Sequence, residues 1–264
     1  MSNSLLKVEN LTMKFGGLIA VDNLSFSANN NEITSIIGPN GAGKTTVFNC
    51  LTGFYKPTDG EMLLSKNDEI ISLKNFTDYK IAQKAKVART FQNIRLFPAM
   101  SVLENLLVAQ HNELMVASGY SIFGILNLKR YKDKEREAVD KAKYWLDIIG
   151  LTNRADDNAG DLPYGDQRKL EIVRAMCIEP RLLCLDEPAA GLNPKESSEL
   201  NKLLEFIKND KKTGILLIEH DMSVVMGISD RVVVLNYGKK IFQGSPTETR
   251  NSKAVIEAYL GVDE

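Results

Sequence analysis

A glycine-rich loop constrains the fold of this chain more than any other part of the sequence. Residues Gly38 to Thr45 read Gly-Pro-Asn-Gly-Ala-Gly-Lys-Thr, which matches the pattern G-x-x-x-x-G-K-[ST] of phosphate-binding loops. The apolar run Ile33–Ile37 comes before the loop and is typical of a buried strand, whereas Lys44–Leu51 has the pattern of a helix. The sequence therefore predicts an α/β fold in which a nucleotide binds between a strand and a helix.

The residue types in the loop explain its chemistry. Glycines let backbone N–H groups turn toward phosphates, and the helix N-terminus adds partial positive charge. Lys44 is expected to reach the β- and γ-phosphates and Thr45 to bind Mg²⁺. At an average glycine content of about 7%, a chance match is expected in roughly one chain in a hundred of this length. We expect ATP to contact Gly38, Pro39, Asn40, Gly41, Ala42, Gly43, Lys44, Thr45 and Thr46.

A second acidic motif follows the apolar run Leu182–Leu185, which ends in Asp186 and Glu187. A carboxylate at the end of a strand in the same sheet lies beside the phosphate loop. In phosphate-loop ATPases this acid holds Mg²⁺, so Asp186 is predicted to do so, through water. Glu187 is a candidate to take a proton from the attacking water. The acid motif alone is a weak signal, but together with the loop it predicts ATP hydrolysis.

The remaining patterns divide the chain into a core and an insertion. Short apolar runs at Ile215–Ile218 and Val232–Leu235 predict further buried strands of a mostly parallel sheet. Ser101 opens a helix with a capping-box pattern, and a second helix is predicted over 132–149, with Glu137 and Lys141 as a surface pair. The segment from about 93 to 177 is therefore predicted to be helical and to interrupt the α/β core.

Composition and charge exclude several classes of protein. The 33 basic and 34 acidic residues leave a net charge of −1, without the basic surface that nucleic-acid binding requires. The first ten residues lack a signal-peptide pattern, and no apolar run approaches the roughly 18 residues of a membrane span. The cysteines, odd in number, lie in apolar stretches, which predicts buried thiols in a reducing compartment. They are Cys50, Cys177 and Cys184.

The order and spacing of these motifs resemble the ATP-binding cassette (ABC) family, over about Leu5 to Gly261. The resemblance implies that Phe15 stacks on adenine, that Gln92 contacts Mg²⁺ and the membrane partner, and that His220 contacts the γ-phosphate. The alternatives are a core position for Phe15, a surface position for Gln92 and a structural role for His220. The signature loop corresponds to Leu162, Pro163, Tyr164, Gly165, Asp166 and Gln167, and the D-loop to Ala190-Gly191-Leu192-Asn193.

The family's fold is therefore the expected one. It comprises a phosphate-loop NTPase core, an N-terminal antiparallel β lobe and an inserted α-helical subdomain. The ATP-binding domain would span 5–254, with a short C-terminal tail at 255–264. The predicted catalytic residues are Lys44, Glu187 and His220, and the predicted metal ligands are Thr45, Gln92 and Asp186.

Within the ABC superfamily, the sequence resembles one subfamily in particular. The motifs around Pro163, Asp186 and His220, and the ending Ala258-Tyr259-Leu260-Gly261, are similar to LivG-type ATPases of branched-chain amino-acid importers. This implies a head-to-tail dimer at the cytoplasmic face of the membrane, with each ATP between one subunit's phosphate loop and the other's signature loop. Membrane permease subunits and an extracytoplasmic substrate-binding protein complete such importers. ATPases of urea or other amide importers, or of lipopolysaccharide exporters, share much of this pattern.

Departures from the family pattern bear on the dimer. Pro163 replaces the signature serine and offers neither a hydroxyl nor an N–H to a phosphate. Tyr164 replaces the first signature glycine, and Asn193 replaces the D-loop aspartate. Our hypothesis is a heterodimer, in which a related ATPase with an intact signature completes the site at Gly38–Thr45. The alternative is a homodimer in which Gly165 and the following helix N-terminus supply most of the binding.

Other classes of protein remain open alternatives. A cytosolic ABC ATPase of DNA repair or translation would need a coiled-coil insertion, a second cassette or a basic surface, which the sequence lacks. A small-molecule kinase would need only the phosphate loop. The segment Asn112–Tyr131 is a candidate contact with membrane subunits, or a loop packed on its own domain.

Overall fold

The fold comes from a computed structural model that describes residues 4–66, 69–77, 79–111 and 129–260. Residues 112–128 of the candidate membrane contact, and residues 261–264 of the expected tail, lie outside this part of the chain. The strands are β1 (Ser4–Phe15), β2 (Leu18–Asn29), β3 (Ile33–Ile37), β4 (Asp59–Lys66), β5 (Glu69–Ser72), β6 (Val87–Arg89), β7 (Leu182–Asp186), β8 (Gly214–Ile218), β9 (Arg231–Asn236) and β10 (Lys239–Gly244).

The described helices flank these strands or lie in the insertion. They are α1 (Lys44–Leu51), α2 (Val102–Ala109), α3 (Lys129–Ile148), α4 (Tyr164–Met176), α5 (Pro194–Asn209), α6 (Met222–Ile228), α7 (Pro246–Asn251) and α8 (Lys253–Leu260). The chain divides into two compact units at Gln92/Asn93 and at Glu179/Pro180. The N- and C-terminal portions form the first unit, and the segment between them forms the second.

Two sheets build the first unit. One is antiparallel, with strand order β2-β1-β4-β5, and the other has the order β10-β9-β3-β8-β7-β6. In the second sheet only β10 runs antiparallel to its neighbour. Strands β3, β7 and β8 are buried along their whole length, which is why their sequences are continuously apolar. The expected antiparallel lobe and mostly parallel core are therefore confirmed.

One hydrophobic core connects both sheets to α1. It includes Leu6 and Leu64 from the antiparallel sheet, Ile36 and Leu216 from the parallel sheet, and Phe48 from α1, all with no more than 1% of their surface exposed. Full burial of such a side chain contributes about 1.5–3 kcal/mol. The helix that follows the phosphate loop is thus anchored by the same core that holds the sheets.

The second unit is helical, and its α2 packs against both α3 and α4. Ser101 caps α2, because its side chain accepts the N–H of Glu104 while Glu104 accepts the N–H of Ser101. The predicted capping box is therefore confirmed. On α3 the buried face includes Ala138, Ala142 and Trp145.

Some local predictions needed correction. The predicted pairing of Glu137 with Lys141 is wrong, because Lys141 forms an ion pair with Glu179 at 2.6 Å and Glu137 pairs with Lys134 instead. Helical spacing shows which residues share a face, but a distant acid can compete for the same lysine. All three cysteines are buried free thiols, as predicted. Within the described ranges, no helix has the length and apolar character needed to cross a membrane.

Candidate nucleotide-binding site

The phosphate loop joins β3 to α1, and close backbone contacts explain its first and third glycines. Gly38 has φ 151°, and a Cβ there would lie 2.1 Å from the carbonyl oxygen of Leu235. At Gly43, with φ 98°, a Cβ would lie 2.5 Å from the carbonyl oxygen of Ala20. Larger residues would clash at both positions, so the glycines are needed for packing as well as for phosphate approach.

Lys44 already points into the loop. Its ammonium donates hydrogen bonds to the carbonyl oxygens of Gly38, at 2.8 Å, and Pro39, at 3.0 Å. Burial lowers the pKa of Lys44, and the carboxylates of Glu187 and Asp186 partly oppose that shift. Because α1 begins at Lys44, its first backbone amides have no partner earlier in the helix. The loop therefore presents N–H groups and an ammonium, the combination that binds phosphates.

Glu187 lies at the centre of the acidic side of the site. One carboxylate oxygen accepts a hydrogen bond from Gln92 Nε2 at 2.8 Å, and the other lies 3.5 Å from His220 Nδ1. The structure thus brings together three residues that come from distant parts of the sequence. Because Gln92 is bonded to Glu187, it is not an isolated glutamine on the surface.

The backbone of Glu187 is strained. Its φ of 48° lies in the left-handed region, which a non-glycine residue adopts at a cost of about 1–3 kcal/mol. Its N–H donates to the carbonyl oxygen of Ile218 in β8 at 2.9 Å, and this bond helps to maintain the conformation. Strain of this kind is concentrated at functional sites.

Asp186 has a partner that the sequence analysis missed. Its Oδ2 lies 2.8 Å from Nη2 of Arg89, and both side chains are 8% exposed. Arg89 Nη1 also donates to Asn49 Oδ1 at 2.6 Å. The only signal in the sequence was a charged residue inside the apolar run that became β6.

Glu219 is a second residue that the sequence analysis missed. It directly precedes His220 and is 1% exposed. Its carboxylate accepts the N–H of Ala189 at 2.9 Å and the N–H of His220 at 3.3 Å. Burial raises the pKa of Glu219, and these backbone bonds lower it in part. Glu219 therefore connects the loop after Glu187 to the histidine.

Phe15, the predicted adenine contact, is not a core residue. It ends β1 with 41% of its surface exposed, and its ring meets the edge of Tyr55 at a centroid distance of 5.2 Å. An aromatic ring that is exposed but held by a neighbour is suited to stacking on a base.

The C-terminal helix also reaches the loop. Burial raises the pKa of the Tyr259 hydroxyl in α8, and the backbone N–H of Gly38 partly opposes that shift. A cavity of about 540 Å³ lies between the loop and this helix, with Pro39 and Glu257 among its lining residues. Only the resemblance of the chain's ending had drawn attention to this segment.

The signature segment belongs to the second unit, and two of its side chains bond to residues nearby in the sequence. Pro163 is the N-cap residue of α4 and provides no side-chain cap. Gln167 Nε2 donates to the carbonyl oxygen of Leu162 at 2.8 Å, and Asp166 pairs with Lys169 at 2.9 Å. Tyr164 is 45% exposed and Gly165 is buried.

A buried ion pair lies within α4. Arg168 and Glu171 are 2.9 Å apart with side chains 0% and 2% exposed. Glu171 also accepts the N–H of Arg95 at 2.9 Å, and Arg168 donates to the Tyr164 hydroxyl at 3.1 Å. Burial raises the pKa of Glu171 despite these partners.

The residues present fit Mg²⁺ that arrives with a nucleotide. In the part of the chain that the structure describes, no group of three or more His, Cys, Asp or Glu side chains is arranged to hold a metal. Mg²⁺ prefers oxygen ligands and is usually held by one or two carboxylates plus substrate phosphates. Asp186, Glu187 and the Thr45 hydroxyl offer such oxygens beside the loop, so the donor set is chemically suitable.

The fold and the loop define a class of protein, and comparison with known proteins agrees. The family model described as ABC transporter matches residues 21–190. The fold is similar to that of the ADP conformation of MJ1267, an ATP-binding cassette of an ABC transporter, with a TM-score of 0.83 and 30% identity over 99% of this chain and 100% of that one. The chain belongs to the ABC transporter family. As a cassette of this family it binds ATP and is an ATPase whose activity is coupled to transport.

Particular relatives are closely similar along their whole length. The chain is 52% identical to the high-affinity branched-chain amino acid transport ATP-binding protein LivG of Salmonella typhimurium, over 99% of both chains. It is 48% identical to the corresponding protein BraF of Pseudomonas aeruginosa, again over 99% of both.

Proposed function

We propose that this chain is the ATP-hydrolysing subunit of an importer that takes up branched-chain amino acids through separate membrane permeases. The observation that carries the proposal is the 52% identity with LivG over 99% of both chains. Identity of this extent includes the segments outside the common ATPase motifs, where one importer type differs from another.

In the proposed mechanism, water attacks the γ-phosphate in line, and catalysis comes mostly from positioning and charge. The phosphate loop and Lys44 hold the phosphates, and Phe15 stacks on the base. Glu187 accepts a proton from the water, while Gln92 and His220, which contact its carboxylate, orient it. His220 also contacts the γ-phosphate.

Mg²⁺ would neutralise charge on the β- and γ-phosphates when bound, and Thr45, Gln92 and Asp186 would hold it. The Thr45 hydroxyl lies at the N-terminus of α1 and is exposed, so it is accessible to a cation that enters with ATP. Asp186 reaches the same edge from the end of β7.

The assembly is part of the proposal. The chain would work at the cytoplasmic face of the membrane with permease subunits and, indirectly, an extracytoplasmic substrate-binding protein. A second, related ATPase would complete this chain's ATP site with its own signature loop. In return, Leu162 to Gln167 of this chain would complete the partner's ATP site. Because Pro163 caps α4 without a side-chain bond, we expect this chain's signature to serve its partner poorly, which favours a heterodimer.

The test is purification from membranes followed by transport. We expect the tagged chain to co-purify with permease subunits and a second ATPase, and labelled leucine uptake to require it. Lys44→Ala should abolish nucleotide binding and uptake while leaving the assembly intact. Uptake of urea in place of leucine, or no change in leucine uptake without the chain, would contradict the proposal. Normal ATP turnover by the purified chain alone at micromolar concentration would contradict the heterodimer.

A further inference from the structure

A buried arginine connects three parts of the nucleotide site. Arg89 lies on β6, opposite Cys184 of β7 in the sheet. Its Nη2 donates to Asp186 Oδ2 at 2.8 Å, and its Nη1 donates to Asn49 Oδ1 at 2.6 Å and to Thr52 Oγ1 at 3.3 Å. Asn49 and Thr52 belong to α1 and its C-cap. One guanidinium therefore links the strand that ends in Asp186 to the helix that begins in the phosphate loop.

Aromatic rings surround the guanidinium and limit its movement. The Arg89 guanidinium carbon lies 5.1, 5.6 and 5.8 Å from the ring centroids of Phe91, Phe54 and Phe48. Its Nε is buried with no hydrogen-bond partner among the described residues. Cation–π contact and the planar fork of an arginine favour a single orientation.

Stability alone does not explain such a pair. Removing two charges from water costs several kcal/mol per ion, and an apolar pair of similar volume is often as stable. The arrangement does, however, determine how Asp186 is presented. Arg89 donates from Nη2 to Oδ2 of Asp186 and from Nη1 to Asn49 of α1. These two bonds of the guanidinium prevent the carboxylate from rotating independently of α1. The other oxygen, Oδ1, is the one that Arg89 does not engage.

We propose that Arg89 is a positioning residue for the magnesium carboxylate, which fixes Asp186 through Oδ2 and keeps it in register with the phosphate loop through Asn49. This inference rests on the proposed Mg²⁺-dependent ATP hydrolysis and deepens it. Because the guanidinium also balances the charge of Asp186, the carboxylate is not an isolated cation site. The cation therefore binds together with the phosphates, and the affinities for Mg²⁺ and for ATP are coupled through this geometry.

The test is the coupling between Mg²⁺ and ATP, measured by titrating the purified chain with a fluorescent ATP analogue, in Mg²⁺ and in EDTA. Arg89→Lys keeps the charge, but a single ammonium cannot reproduce the planar fork. We expect the gain in affinity that Mg²⁺ provides to fall about tenfold in Arg89→Lys, while affinity in EDTA stays within about twofold of wild type. Asn49→Ala, which leaves the contact with Asp186, should give a smaller fall in the same quantity.

The matched control is Arg181→Lys in the same unit. Arg181 is a partly buried arginine whose Nη1 donates to the carbonyl oxygen of Ser65 at 2.9 Å, in a bond that does not involve Asp186. We expect the coupling between Mg²⁺ and ATP in Arg181→Lys to equal that of wild type. Thermal unfolding of each variant separates loss of fold from loss of positioning, because Arg89→Lys should lose coupling at temperatures where it is fully folded.

Two results would overturn the inference and can be told apart. If wild type shows coupling and folded Arg89→Lys shows the same coupling, or if Arg181→Lys loses it equally, Arg89 does not position the carboxylate. If wild type binds the analogue equally well with and without Mg²⁺, the proposed function fails together with the role of Arg89.

Discussion

The phosphate-loop region of the first unit and the signature segment of the second unit use polar residues in opposite ways. Around the phosphate loop, Gln92, Glu187 and His220 come from distant positions and contact one another. In the signature segment, Gln167 and Asp166 bond to residues of the same helix or of the turn before it. The first region brings side chains from distant parts of the sequence into contact, whereas the second presents the N-terminus of one helix.

This difference indicates which region depends on a partner. The contacts between Gln92, Glu187 and His220 place the predicted catalytic groups within one chain. We expect the N-terminus of α4 to recognise phosphate rather than to activate water, because the Asp166 carboxylate there is paired with Lys169. We therefore expect mutations in the first region to change chemistry and mutations in the second to change stability or assembly.

The largest expected effect is on the stability of the second unit. Arg168→Met would leave the carboxylate of Glu171 buried without its ion-pair partner, which destabilises by about 3–5 kcal/mol. The only tryptophan, Trp145, belongs to this unit and is 3% exposed, so its fluorescence reports unfolding there. ATP affinity at the phosphate loop should stay within about twofold of wild type, because the loop belongs to the other unit.

Lys169→Met is the matched control for Arg168→Met. Its partner, Asp166, forms a more exposed pair, so the loss should be less than about 1 kcal/mol. Equal destabilisation by both variants, or a large loss of ATP affinity in Arg168→Met, would break the division between the two regions.

The next largest effect concerns turnover. Glu187→Gln keeps the shape of the side chain but removes the base, so we expect ATP hydrolysis by the assembled transporter to fall at least about 100-fold with ATP binding retained. Glu196→Gln, at the exposed capping box of α5, should hydrolyse ATP normally. Near-normal turnover by Glu187→Gln would remove Glu187 from the catalytic role.

A smaller effect is expected in the signature segment. Pro163→Ser restores a hydroxyl and a backbone N–H at the start of α4, and one additional hydrogen bond contributes about 0.5–1.5 kcal/mol. In an assembly silenced at this chain's own site by Glu187→Gln, we expect the residual hydrolysis to rise about two- to tenfold. No rise would support the alternative that Gly165 and the helix N-terminus already provide the binding.

The smallest expected effect is on the pH dependence of stability. It concerns two buried acids, one in each region. Glu171 faces the buried guanidinium of Arg168, whereas the hydrogen bonds to Glu219 come from backbone N–H groups. Because burial raises the pKa of Glu219 above its ordinary 4.5, its stabilising contribution is full below that value and is lost as pH rises through the raised pKa. Glu219→Gln should therefore gain stability relative to wild type as pH rises above the ordinary value of 4.5, until the raised pKa is passed.

The reference for that experiment is Glu248→Gln. The N–H and hydroxyl of Ser245 lower the pKa of Glu248, so its stabilising contribution is present above the ordinary pKa of the group and is lost at lower pH. Its variant should therefore lose stability relative to wild type as pH rises from below the lowered pKa to above the ordinary value of 4.5. The same direction of change in both variants would show that burial does not govern the charge of Glu219.

Local patterns in the sequence were sufficient for the elements that carry the site. The strand and helix on either side of Gly38–Thr45 follow from apolar periodicity, and the cap at Ser101 follows from side chains that bond backbone groups three residues away. Such signals lie within a few residues of each other, so one sequence contains them completely.

Partners distant in sequence could not be predicted. Arg89 and Asp186 meet because β6 and β7 are neighbours in the sheet, and the order of strands cannot be read from an apolar run. Glu219 was missed for the same reason, because its carboxylate accepts the N–H of Ala189, which lies 30 residues earlier in the chain. Glu187 was assigned from the acidic motif that follows a strand, and Gln92 and His220 were assigned by resemblance. The roles of all three stay predictions.

The close contact between Gly38 and the later part of the chain has a consequence for biosynthesis. During translation the phosphate loop leaves the ribosome early, but Leu235, whose carbonyl oxygen lies against Gly38, and the α8 residues that line the cavity beside the loop are made far later. A nascent chain therefore has its ATP-binding motif long before it has the residues that support it.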